Sequence, residues 1–314
     1  MFASIISLIE QYDTVILHRH SSPDGDALGS QIGLSELIRT NYPEKTVYTV
    51  GDAAGRYAFM AGSTMDTVPD EMFAGALAIV LDSGSASLVS DTRYSLAAAT
   101  ARIDHHIFSE AFTGTEVVDT AFESCCGMIT ALAMEAGWTL SLPAATALYT
   151  GTVTDSGRFR YDCVTSDTFR RVAFLMEQPI DTGAIFSDLY ADDYSRIRLR
   201  AEFTLKIRFT EKNVAYIYTT KEELSAIPAD VFTVSRGMVG VMSDIRGVDI
   251  WVNFTETESG VLCEIRSSRY NINPIAVRYG GGGHAKASGA TLPDRETAMA
   301  LLQDLDRLTE ENHE

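Results

Sequence analysis

Apolar and polar positions follow two different rhythms along this chain. From residue 1 to about 180, an apolar helix-like start is followed by short β-branched runs: TVILH, TVYTV, ALAIVLD, TARID and TEVVD. Between them lie stretches of helical spacing, one from Ala27 to Arg39, one from Ser124 to Ala136 and one from Pro143 to Val153. Strands alternating with helices predict βαβ units and a parallel sheet. In such sheets ligands bind outside the carboxyl ends of the strands. Polar residues gather at those ends: His18 to Asp26 after TVIL, Asp82 after ALAIVL, and Asp104 to His106 after TARI. Asp155 is expected in the TDSGRFRY turn, in a loop just beyond a helix.

The second rhythm begins after a charged, proline-free stretch, residues 182–206, which suits a helical connector belonging to neither neighbouring core. Beyond it NVAYIYTT, VDIWVNFTE and GVLCEIRSS predict strands, while EELSAIPADVFTVSRGMVGVMS and PDRETAMALLQDLDRL predict helices. The expected organisation is therefore an α/β domain over 1–181, a connector over 182–206, and a smaller α+β domain with an antiparallel-leaning sheet over 207–314. A chain of 314 residues suits two hydrophobic cores. The active site is expected in the cleft between the two domains.

Composition narrows the function classes. The hydrophobic fraction of 46% and charged fraction of 22% are those of globular chains. No apolar run reaches the roughly 18 residues of a membrane span, and MFASIISLIEQYD lacks the features of a signal peptide, so a cytoplasmic protein without a membrane partner is expected. Cys125, Cys126, Cys163 and Cys263 show no CxxC spacing and are expected to be buried, reduced thiols. A formal charge of −18 opposes binding of long nucleic acid, whose affinity rests on many Lys/Arg contacts.

The candidate chemistry lies in four separate segments. His20-Ser-Ser-Pro-Asp24-Gly-Asp26 puts an imidazole and two carboxylates on one strand-to-helix turn, although an Asp N-cap and a turn aspartate would read the same way. Asp82 also suits a strand-ending turn, Asp104-His105-His106 a solvated loop, and Asp155 in Thr154-Asp155-Ser156-Gly157 a turn after a helix. Their conjunction at strand and helix ends points to a metal centre. Carboxylate and imidazole donors without thiolate favour Mn²⁺ or Mg²⁺ over structural zinc. Two such ions about 3.5–4 Å apart support phosphoester hydrolysis.

HSSPDGDALGS, VLDSG, DHH and TDSGRF, in that order, resemble the four motifs of the DHH family of phosphoesterases. The resemblance implies a DHH catalytic domain over 1–181 and a DHH-associated substrate-binding domain over 207–314. It implies two divalent cations, Mn²⁺ first with Mg²⁺ or Co²⁺ as alternatives. His20, Asp24 and Asp82 would hold one, while Asp26, His105, Asp155 and a bridging Asp82 would hold the other. His106 would contact the scissile phosphate, with Asp104 orienting the histidines.

GGGGHAKASG, from Gly280 to Gly289, resembles the family's C-terminal motif, and a glycine run lets backbone N–H groups approach a phosphate. Arg266, Arg269, Arg278 and Lys286 lie in a segment free of Asp and Glu, a local reversal in an acidic chain. Arg266 and Ser267, with Gly281, Gly282, Gly283 and His284, are the expected contacts to the non-scissile phosphate, Arg266 as the bidentate anchor. Tyr270 and Tyr279 are candidate base-stacking partners. The compact form resembles the oligoribonuclease (nano-RNase) and pAp-phosphatase branch, which implies hydrolysis of short RNA or 3'-phosphoadenosine 5'-phosphate (pAp) and a homodimer. A cyclic or linear dinucleotide phosphodiesterase is the enzymatic alternative. A non-catalytic nucleotide-binding regulator is the alternative of another class.

Overall fold

The computed structural model describes residues 1–311. The chain divides into two compact units, Met1–Ala191 and a second that starts at Asp192.

In the first unit, β1 (Thr14–Arg19), β2 (Thr46–Thr49), β3 (Leu77–Leu81), β4 (Ala99–Asp104) and β5 (Thr115–Val118) form a parallel sheet in the order β2-β1-β3-β4-β5. The strand order reverses direction between β1 and β3, the switch point where such sheets open a crevice. β3 is buried along its whole length, as a strand covered on both faces must be. Around the sheet run α1 (Ala3–Gln11), α2 (Gly25–Asn41), α3 (Cys125–Ala136), α4 (Leu142–Asp155), α5 (Ser166–Leu175) and α6 (Thr182–Tyr190). α5 had no counterpart in the expected elements.

α2 is buried from Gly25 through Ser35, because α4 and the sheet leave it no solvent face there. Its glycines permit the approach. A Cβ on Gly29 would lie 2.6 Å from the Ala147 carbonyl oxygen, and one on Gly33 would lie 2.5 Å from Leu148. A Cβ on Gly151 of α4 would lie 2.3 Å from the Cys126 sulfur. Close packing of these helices carries Asp26, at the start of α2, toward Asp155, at the end of α4.

The expected connector is split by the fold. Ile185 and Leu189 of α6 pack into the first core, whereas Leu199 and Phe203 of α7 (Tyr194–Leu205) pack into the second unit. Each half carries apolar residues at helical spacing, so each is drawn onto the nearer core, and the chain divides at Ala191 rather than at 181 and 206.

The second unit is a mixed sheet in the order β10-β11-β9-β8-β7-β6. Its strands are β6 (Arg208–Phe209), β7 (Ala215–Thr219), β8 (Ile250–Thr257), β9 (Gly260–Ser267), β10 (Gly282–His284) and β11 (Ala287–Leu292). Only β7 and β8 pair in parallel. α8 (Lys221–Ala226), α9 (Asn273–Arg278) and α10 (Arg295–Glu311) complete it. The single helix expected after β7 is broken: α8 stops before Pro228, and a π turn (Thr233–Gly237) and a 3₁₀ turn (Val239–Met242) succeed it. Proline cannot continue a helix interior, and Gly237 and Gly240 lower the helix propensity of the residues beyond it.

His18, inside β1, is fully buried between Phe73 and Tyr94. Its Nδ1 lies 3.0 Å from the Asp91 carbonyl oxygen, and Nε2 has no partner. Burial lowers its pKa from 6.5 to about 4, against the pull of Asp91. The unfolded chain therefore binds this proton at a higher pH than the folded one, and stability falls as pH drops from 6.5 toward 4, by about 3 kcal/mol in full. Urea unfolding across this window will show a shallower loss in His18→Gln than in wild type; identical slopes would refute the assignment.

Candidate metal centre

Asp82 stands at the centre of the clustered residues. It follows β3 directly and takes φ +48°, a left-handed conformation that costs a non-glycine residue about 1–2 kcal/mol. The carboxylate is 2% exposed, and its Oδ1 has no hydrogen-bond partner. His105 Nε2 is 3.5 Å and His106 Nδ1 3.6 Å from Oδ1, while His20 Nε2 is 3.5 Å from Oδ2. A buried, unsatisfied carboxylate oxygen is costly unless something charged meets it.

Asp24 caps α2, its Oδ1 accepting from the amides of Asp26 and Ala27 at 2.9 Å each, and it lies 3.9 Å from His20 Nε2. The capping reading and the ligand reading thus both apply to it. Asp26 is almost fully buried and accepts from the amides of Cys125 and Cys126 at 2.7 and 2.8 Å, the first turn of α3. Helix N-terminal amides favour an anionic partner, so α3 fixes this carboxylate. His105 Nε2 lies 3.6 Å from Asp26 and 3.3 Å from Asp155. Asp155 is the last residue of α4 rather than part of the loop beyond it, because the helix runs past Val153, where it was expected to end.

Three overlapping groups therefore offer donor atoms within 4.8 Å of one another: His20, Asp24 and Asp82; Asp26, His105 and Asp155; and Asp82, His105 and His106. The residues fit a divalent cation. All donors are carboxylate oxygens or imidazole nitrogens, and the neighbouring thiols turn away, Cys125 toward the Ile103 carbonyl and Cys126 toward that of Asp26.

The charges are strongly coupled. Burial opposes charge on His20, but Asp24 and Asp82 outweigh it and push the imidazole up to about 10. His105 is likewise pushed up to about 10 against burial by Asp82, Asp26 and Asp155. Burial raises Asp26 well above the carboxylate range, with Asp82 and Asp155 adding to it, and burial raises Asp155 to about 6. Burial of Asp82 is overcome by His105 and His20, which hold it below the ordinary range. Protons on two imidazoles here do what a cation would do, so cation binding would release them.

His106 is half exposed, and its Nδ1 lies 2.8 Å from Asp104 Oδ1. Asp104 is fully buried and its Oδ2 accepts from Arg102 at 2.5 Å. Arg102, two residues earlier on the same strand face, is also fully buried and donates to the carbonyls of Glu110 and Gly84. The Arg102–Asp104–His106 relay fixes the ring and turns its Nε2 edge outward.

Two supporting groups escaped sequence reasoning. Arg19, fully buried at the end of β1, donates to Gln31, to the His20 carbonyl and to Asp52, and Asp52 in turn accepts from the Ser22 amide at 2.7 Å. This network pins the loop that bears His20 and Asp24. Arg102 is the other. The only signal in the sequence was an arginine set in each otherwise apolar strand.

In the second unit the expected basic segment is largely neutralised. Arg266 pairs with Glu264 at 3.0 Å, Arg278 with Asp304 at 2.8 Å, and Arg269 lies 3.9 Å from Asp249. Glu264 is two residues before Arg266 on β9, while Asp249 and Asp304 are distant in sequence and brought near by the sheet and α10. The Ser267 hydroxyl accepts from the amides of Arg269 and Tyr270. The glycine run is a hairpin strand, not an open loop. A Cβ on Gly281 would lie 2.0 Å from the Gly289 carbonyl oxygen, and one on Gly283, at φ +130°, would lie 2.6 Å from that of Ala287. Gly282 has open space around its Cα, and His284 is exposed. Tyr270 is buried, whereas Tyr279 is half-buried with its hydroxyl donating to Asp304.

Comparison with known proteins agrees with this architecture. Residues 14–152 match the DHH family, N-terminal domain, and residues 231–311 match the DHHA1 domain. The chain is 34% identical to the bifunctional oligoribonuclease and PAP phosphatase NrnA of Bacillus subtilis, over 99% of this chain and all of that one. It is 34% identical to a probable NrnA of Streptococcus mutans, over 97% and 98% of the two chains. A crystal structure of an exopolyphosphatase-related protein from Bacteroides fragilis matches with TM-score 0.81 and 25% identity, covering 97% of this chain and 94% of that one. The chain belongs to the DHH family, in the form that joins a DHH domain to a DHHA1 domain.

Proposed function

We propose that this protein is a metal-dependent phosphoesterase that hydrolyses short oligoribonucleotides and pAp to mononucleotides. The observation that carries the reading is the unsatisfied Asp82 carboxylate shared by overlapping donor groups, in a chain similar over its full length to proteins named for these two activities. His20, Asp24 and Asp82 hold one divalent cation and Asp26, Asp82, His105 and Asp155 the other, Mn²⁺ first and Mg²⁺ or Co²⁺ as alternatives. Bound there, two divalent cations supply the positive charge that in-line displacement at phosphorus requires.

The protein's own residues do the rest. His106, oriented by Asp104 and raised in pKa chiefly by it, faces an oxygen of the scissile phosphate with its Nε2 edge, and the raised pKa favours a proton there. Arg266, Ser267, His284 and the backbone of Gly281, Gly282 and Gly283 bind the non-scissile phosphate. Arg266 must exchange Glu264 for the substrate, and Ser267 must share its hydroxyl with the turn it closes. The net charge of −18 disfavours long strands. No helix among the described residues is long and apolar enough to cross a membrane. A cytoplasmic location, expected from the sequence, and a homodimer, as the family resemblance implies, accompany the reading.

A substrate panel tests it. Protein supplied with Mn²⁺ is expected to turn over an RNA dinucleotide and pAp faster than cyclic di-AMP, pyrophosphate or a long RNA. Long RNA degraded as readily as the dinucleotide, or a preference for pyrophosphate, would sink the proposal.

A further inference from the structure

Next to its carboxylate cluster the first unit exposes a patch of the opposite character. After Asp155 the chain passes through Gly157, Arg158 and Phe159, all in the left-handed region with φ of 57°, 62° and 61°. Arg158 and Phe159 are not glycine, so this turn is unfavourable by itself and must be held by contacts. The Arg158 amide donates to the Val153 carbonyl at 2.8 Å, and Phe159 packs on Phe169 with ring centroids 5.5 Å apart. The Tyr161 ring covers Gly157 so closely that a Cβ there would lie 2.5 Å from it.

The turn sets the Arg158 guanidinium 4.5 Å over the ring of Tyr190. Arg56 reaches the same place from another segment, donating to the Leu189 carbonyl at 3.3 Å. Tyr190 thus lies among Arg158, Arg56, Tyr161 and Arg160. Tyr57, whose ring Arg56 covers, sits beside Asp24 and the Gly25 amide, at the mouth of the metal cluster. Through Tyr57 and through Arg158, three residues beyond Asp155, the patch adjoins the candidate metal ligands within one unit.

Its charge is not offset by neighbouring carboxylates. Arg93, Arg102, Arg171, Arg266 and Arg278 each meet a carboxylate. Among the described residues, Arg56, Arg158 and Arg160 have none within ion-pair distance, in a chain of formal charge −18. Arg158, Arg160 and Tyr161 are exposed, Tyr161 at 57%. Unpaired guanidinium groups beside exposed phenol rings match the two halves of a nucleotide. Phosphate oxygens take N–H donors, and a base takes an aromatic or guanidinium face.

We propose that Arg158, Tyr161 and Tyr190, with Arg56 and Arg160 at the rim, form a nucleotide subsite of the first domain. A base of a short RNA substrate stacks against Tyr161 and the Arg158–Tyr190 pair, and the adjoining phosphodiester meets the arginines. The subsite rests on the phosphoesterase reading and deepens it. It makes the first domain, and not only the glycine-rich hairpin of the second, a reader of nucleotides as opposed to simple phosphate esters.

The test compares an intact RNA dinucleotide with two versions lacking one base each, using the full-length protein with Mn²⁺. Wild type is expected to prefer the intact dinucleotide over one of the abasic forms by about tenfold or more in kcat/KM, the effect of one stacked base. In Tyr161→Ala and Arg158→Ala that preference falls below about threefold, with the loss appearing mainly in KM. A ratio of two substrates on one preparation does not depend on the fraction folded, so a damaged variant cannot imitate the result. Variants that turn over the dinucleotide with the wild-type preference intact would overturn the subsite and leave the phosphoesterase reading standing. A wild type that hydrolyses neither the intact nor the abasic dinucleotides would overturn the reading and the subsite together.

Discussion

Asp82→Asn will reduce phosphoesterase activity on the preferred substrate by more than about 10²-fold, beyond the loss usual for residues that merely orient a ligand. The replacement keeps the shape of the side chain and removes the one carboxylate that faces His20, His105 and His106 together. Asp82 falls in the His20–Asp24–Asp82 group and lies 3.5 Å from His105 of the other, and the proposal assigns it to both cation sites, so the change is expected to weaken both at once. It also lowers the pKa of His20 and His105, since Asp82 helps to hold both up. Steady-state assays with Mn²⁺, alongside calorimetric Mn²⁺ titration, separate lost cation binding from lost chemistry. Activity above half the wild-type value would mean that the cluster is assigned to the wrong residues.

Arg102→Met will destabilise the first domain by about 3–5 kcal/mol, the range seen when one member of a buried ion pair is removed. Arg102 and Asp104 are both fully buried, and without the guanidinium the Asp104 carboxylate retains only His106. Burial raises the carboxyl while His106 and Arg102 hold it low, so removing Arg102 moves its pKa upward and loosens its grip on His106. Denaturant unfolding measures the cost. The double variant Arg102→Met/Asp104→Asn is expected to recover part of it, because no buried charge is then left unpaired. If the double variant is no more stable than Arg102→Met alone, lost packing rather than an isolated charge is responsible.

The relation between these two residues shows how unevenly the site could be read in advance. Asp82 was legible because it ends an apolar strand, where a parallel sheet presents its ligands. Arg102 was visible as an oddity within TARID, but its partner could be identified only once β4 had set residues 102 and 104 on one face and buried both. The basic segment from Arg266 to Lys286 was legible only in part, for the converse reason. Its carboxylate partners Asp249 and Asp304 are close in space and distant in sequence, so local charge counting overstated its free charge. The glycine run was legible as a special backbone, but not as a strand whose glycines are required by β11.

By itself the sequence determined the strand–helix alternation, the parallel sheet and the positions of His20, Asp24, Asp26, Asp82, His105 and Asp155 at its element ends. Periodicity and motif order are local properties, and they survive in one dimension. Only the tertiary structure decided where the units divide, since α6 and α7 each carry apolar residues at helical spacing and differ in the core each can reach. It alone closed α2 onto α4 through their glycines, left Asp82 Oδ1 without a partner, and gathered Arg56, Arg158 and Tyr190 from three segments. Those are matters of distance between residues far apart in the chain, which packing sets and which no local pattern encodes.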